Sequence, residues 1–150
     1  MNVIQKTSIS AVAGTSAMTM FSFMASRLEK ENFREPALLG TFINNTFKTG
    51  AKFSKPLGWV LHYVVGVGFT AVYKWTLRSS KVEPSLGNGL CYGAFAGITG
   101  ILFWETLFSS RPGTAHTNRP AFYSQLFLAH LIFGAVIAAM DKKLNELQKT

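Results

Sequence analysis

Two apolar stretches each carry a histidine four residues ahead of a glycine: HYVVGVG, His62 to Gly68, and HLIFGAV, His130 to Val136. A third ionisable side chain, Glu105, ends the apolar stretch ILFWE. An imidazole can accept a hydrogen bond or move a proton, and a carboxylate in the same membrane half could complete a proton path or orient a quinone carbonyl. Two neutral imidazoles on facing helices also suit the axial positions of a haem iron. The competing reading is packing. Each ring would bond a backbone carbonyl or a facing hydroxyl such as Thr70 or Ser124, and Glu105 would pair with Arg111 or Arg119 near the headgroups.

The elements that position these residues follow from charge distribution. Residues Thr7 to Ser26, Pro56 to Tyr73, Pro84 to Trp104 and Pro120 to Met140 contain no Asp, Glu, Lys or Arg. Each run approaches the ~20 residues that cross a bilayer core as a helix. The expected fold is all-α: a polytopic membrane protein of one domain, with four transmembrane helices over about Thr7–Ser26, Leu57–Leu77, Leu86–Phe108 and Ala121–Met140. The first run outlasts a usual signal-peptide core and carries its small residues internally, so it is expected to be retained as a helix. Trp59, Tyr63, Tyr73 and Trp75 mark the two headgroup levels of the second span. Lys74 sits one turn from the end of that span, where its flexible stem should carry the amine outward.

Between the first two spans, Leu38, Leu39, Phe42, Ile43 and Phe47 recur at helical spacing behind Pro36. This predicts an interfacial helix anchored by phenylalanines and by Lys48, Lys52 and Lys55. A helix packed over the bundle fits the same stripe equally well.

On these spans His62 lies about 8 Å, Glu105 about 5 Å and His130 about 14 Å inside one membrane face, from the rise per residue. The three would form a polar wedge if their faces converge, and together they are the candidate cofactor-binding group. Gly14, Gly66, Gly89, Gly93, Gly97 and Gly134 fall on small-residue faces, where helix backbones can approach closely in lipid. His62 shares its face with Gly66, and His130 with Gly134. That shared HxxxG step is also a faint sign of related hairpins.

The formal net charge is +8, and the basic residues gather between apolar runs. No basic segment interleaves with stacking aromatics, so lipid phosphates explain the excess better than nucleic acid. Arg111, His116 and Arg119, in the last connection, are candidates for contact with a lipid headgroup or another anion. The positive-inside rule leans by a small margin toward a cytoplasmic location for the two longer connections, which leaves orientation open. Cys91 is the only cysteine and has apolar neighbours, as expected for an inert buried thiol. No HExxH, GxSxG or P-loop occurs and no carboxylate cluster suits a divalent metal, so hydrolytic and metal chemistry find no motif.

Through His62 and Gly66, Gly93 and Gly97, and His130 and Gly134, the chain resembles a group of uncharacterised small four-helix bacterial membrane proteins. That resemblance implies a bacterial inner-membrane fold and no activity; the long connection from Arg27 to Lys55 departs from it. Two functions are carried forward. One is a structural or accessory subunit of a larger membrane assembly. The other is a membrane protein that binds a small molecule (quinone, lipid or haem) through the polar wedge.

Overall fold

The computed structural model describes residues 1–110 and 117–148. It is all-helical, with α1 over Val3–Glu29, α2 over Glu35–Phe47, α3 over Ala51–Ser79, α4 over Leu86–Ser110 and α5 over Arg119–Glu146. Four of these, α1, α3, α4 and α5, are long and apolar enough to cross a membrane. They exceed the uncharged runs because polar residues at their ends continue the backbone ladder. Asn2 caps α1 in a reciprocal pair with Gln5, and Asn118 caps α5.

The bundle has an apolar exterior and several polar side chains inside beside its apolar clusters. Ser10, Thr15, Thr19, Ser22, His62, Thr70 and Gln125 are buried, whereas Val12, Met20, Val60, Val64, Phe95, Ile98 and Leu102 are exposed. Water would penalise such an apolar exterior, and hydrocarbon would not. The four helices thus suggest an integral membrane protein.

Glycines set the helix spacing. A side-chain carbon built on Gly134 would lie 2.8 Å from the Gly93 backbone, and one on Gly93 would lie 3.0 Å from Leu131 Cα. Gly89 likewise abuts the Gly134 carbonyl, so α4 and α5 touch backbone to backbone. Gly14 brings α1 against Phe133 and Ile137 of α5, Gly66 faces Thr15 of α1, and Gly97 faces Phe127 and His130. α5 is the central helix, flanked by α1 and α4, while α3 packs on α1 and α2. Met18, Tyr73, Phe133 and Ile137 belong to one buried apolar cluster, and Phe33, Phe42, Trp104, Phe108 and Phe122 to another.

α2 departs from the picture of a helix lying on the membrane. Its Leu38 and Phe42 are buried in protein, with the Phe42 ring 6.0 Å from Trp104 and 5.7 Å from Phe108. It folds back along α3, where Gly40 and Gly58 allow backbone contact. The stripe therefore covers one end of the bundle, leaving Phe47 and Phe53 exposed.

Two further expectations are corrected. Lys74 does not snorkel: its amine lies 2.7 Å from Asp141 of α5, and both side chains are buried. A facing carboxylate inside the span edge offers the amine a partner that sequence position on α3 alone does not reveal. Cys91 is exposed on the outer face of the bundle, because α4 buries its glycine edge instead.

Candidate functional site

α3 and α4 are neighbours that scarcely pack. Near one end Tyr92 of α4 donates to the Phe69 carbonyl of α3 over 2.6 Å. Farther along, the helices part around a cavity of about 400 Å³. Its walls are Leu61, His62, Val65 and Phe69 of α3 and Thr99, Gly100, Phe103 and Trp104 of α4, with Thr15, Met18, Leu126, His130 and Phe133 behind and Glu35 and Leu39 at the α2 end. Val65, Thr99 and Phe103 are exposed at its outer edge, so the cavity has a side opening on the apolar outer surface of the bundle.

Both histidines line this cavity. His62 projects toward α1 because it shares a face with Gly66 and Thr70, the residues that α3 buries. Its Nε2 lies 2.9 Å from the Thr19 hydroxyl. Thr19 commits its own proton to the Thr15 carbonyl at 2.7 Å, so the Thr19 oxygen accepts and His62 Nε2 carries a proton. In His130, Nδ1 donates to the Leu126 carbonyl over 2.8 Å, one turn earlier on α5. The His130 ring then lies over Gly100, where an added side-chain carbon would be 3.3 Å from Nε2. Phe69 and Phe133 flank it edge to face, with centroids at 6.3 and 6.5 Å.

Glu105 does not join them. It is half exposed, accepts from Ser109 at 3.0 Å and from the Tyr123 hydroxyl, and lies 3.8 Å from Arg119. It stands beyond the glycine edge of α4, where the polar cluster at the span end holds it outside the cavity. Arg119 also donates to the Phe108 carbonyl and covers the Phe108 ring at 5.2 Å. This resembles an interfacial anchor. Arg111 and His116 lie outside the described residues.

The carboxylate in the cavity is Glu35, in the first turn of α2. Ser22 of α1 offers its one proton to Glu35 Oε1 at 2.8 Å, the nearer acceptor, and to the Met18 carbonyl at 3.1 Å, and Gln125 of α5 donates to Ser22 over 2.6 Å. Glu35 Oε2 is buried without a partner, as is Thr15 Oγ1. Burial pushes the Glu35 carboxyl up to about 7, against the opposing pull of its hydrogen bonds, that from Ser22 among them. Charge density in the connection RLEKENFREP disguised this residue as solvated. A signal was present: Pro36 marks a helix start, which places Glu35 at the first turn beside Phe33, while Ser22 and Gln125 wait in otherwise apolar spans.

No family model matches the chain, and neither the curated proteins nor the solved structures provide a match.

The polar groups are distributed around the cavity rather than gathered at one point. Among the described residues, no three His, Cys, Asp or Glu side chains stand close enough to hold a metal ion together. Each imidazole keeps one ring nitrogen outside its hydrogen bond, Nδ1 in His62 and Nε2 in His130. Chemically, the site is an apolar slot with separate polar points along its inner wall.

Proposed function

We propose that the protein is an integral membrane protein that binds a small lipophilic molecule, admitted sideways from the bilayer between α3 and α4. The observation that carries this reading is the cavity of about 400 Å³ that has an exposed apolar mouth and an inner wall bearing Glu35, His62 and His130. Cavities of this volume, mostly apolar with a few placed polar groups, are the usual form of small-molecule sites. Polar groups in an apolar wall cost stability unless they are satisfied, and a bound head group would satisfy the ring nitrogens that His62 and His130 leave free.

The accessory-subunit reading drew on the small-residue faces. Those at Gly14, Gly66, Gly89, Gly93, Gly97 and Gly134 meet helices of this same chain, so they leave less reason to invoke a partner subunit. Placement in a bacterial inner membrane rests on the four-helix resemblance alone.

The test is extraction of the purified protein with organic solvent and mass spectrometry of what it releases. The parent should release a lipophile at near-stoichiometric amount, and Thr99→Phe, which fills the mouth from an exposed position, should lose it. Equal recovery from both would contradict a site in this cleft.

A further inference from the structure

Hydrogen-bond capacity at the cavity wall restricts what can fill it. We infer that the ligand is an uncharged lipophile whose head group carries a hydroxyl, such as a long-chain alcohol or a quinol. This deepens the cavity reading above and depends on it.

Three observations converge. First, the proton positions assigned by Thr19 and Leu126 leave His62 Nδ1 and His130 Nε2 as lone-pair acceptors when the rings are neutral. Buried imidazoles without an ion-paired carboxylate favour that neutral form. A ligand hydroxyl is the complementary donor. Second, Glu35 Oε2 and Thr15 Oγ1, on residues that line the same cavity, are covered by protein, which leaves the two ring nitrogens as the acceptors that a head group can reach. A hydroxyl carries the one proton that such an acceptor takes. Third, no lysine or arginine among the described residues lines the cavity. A phosphate, a carboxylate or the propionates of a haem would enter without a counter-charge and beside Glu35, an arrangement that desolvation makes costly. Apart from Thr99 at the mouth and the glycines, the rest of the wall is aliphatic and aromatic, as a hydrocarbon chain requires.

The experiment first compares head groups on one hydrocarbon chain with the site intact. Trp59 and Trp75 are exposed, whereas Trp104 lines the cavity; Trp59→Phe with Trp75→Phe leaves Trp104 as the sole tryptophan. In nanodiscs, its fluorescence is titrated with dibrominated hexadecanol, hexadecane and, at alkaline pH, hexadecanoate, since bromine quenches on contact. The expected result is saturable quenching by the alcohol, with a midpoint about tenfold below that of the alkane, as one or two net hydrogen bonds provide. His130→Phe should erase that advantage and leave the alkane midpoint unchanged. Equal midpoints for alcohol and alkane, or tighter binding of the carboxylate, would overturn the hydroxyl assignment and leave the cavity reading standing. Saturation by none of the three would overturn both.

Discussion

Ser22 of α1 donates to Glu35 of α2 across 2.8 Å, and this bond ties the short helix to the bundle at the inner end of the cavity. Gln125 extends the chain to α5, so three helices share one buried polar thread. The thread is satisfied at Glu35 Oε1 and open at Oε2.

The pH dependence of stability should show that thread. Burial raises the Glu35 carboxyl from 4.5 to about 7, so between these values the folded chain holds a proton that the unfolded chain has released. Its contribution is fully present below pH 4.5 and is lost as pH rises to about 7, by about 3 kcal/mol at most from the size of the shift. Glu35→Gln cannot ionise. Thermal melts in detergent at pH 5 and pH 8 should therefore show a larger decline for the parent than for the variant; parallel declines would mean that Glu35 is not the titrating group.

Much of this architecture was legible in the sequence, for a physical reason. The four helices long and apolar enough to span a membrane follow from the absence of charge over bilayer-length runs, and the close contacts of Gly89, Gly93 and Gly134 occur where small residues recur four apart. Less legible was anything set by pairing between distant segments. Glu35 looks solvated among charged neighbours until α2 folds back on α3, and Lys74 looks like a snorkelling residue until Asp141 of α5 meets it. Glu105 failed as a wedge residue for a related reason: depth along a helix does not tell which neighbour claims a side chain, and Tyr123, Ser109 and Arg119 claimed it outside the cavity.

The Lys74 and Asp141 pair should behave as a coupled unit. Both side chains are buried at 2.7 Å, so removing one partner strands the other charge. Lys74→Met should cost about 3 kcal/mol, and Lys74→Met combined with Asp141→Leu should recover most of that loss. A double-mutant cycle on unfolding in mixed micelles measures the coupling. Additive single effects would place the two charges apart.

Helix contact at Gly134 should be intolerant of bulk. A side chain there would strike the Gly93 backbone at 2.8 Å, so Gly134→Val should destabilise by about 3 kcal/mol or more. Gly68 is the internal control, since an added carbon meets nothing within 4 Å. Gly68→Ala should be neutral or stabilise by up to about 1 kcal/mol through helix propensity. Melting of both variants in the same detergent checks the contrast.

Glu105 should be dispensable for binding. Its carboxylate is half exposed and bonded to Tyr123 and Ser109 away from the cavity wall. Glu105→Gln should leave the alcohol titration of Trp104 unchanged, whereas His62→Phe should weaken it about tenfold through loss of a ring acceptor on the cavity wall. The reverse pattern would move the site to Glu105.

The central claim is that lipophiles occupy the cleft between α3 and α4 rather than merely coating the bundle. Photolabelling with a diazirine-bearing hexadecanol, followed by peptide mass spectrometry, tests it most directly. The account predicts labels concentrated at Val65, Thr99, Phe103 and Trp104, which unlabelled hexadecanol competes away in a saturable manner. Labelling spread over outward residues such as Val60, Val64, Phe95 and Ile98, with no competition, would contradict it.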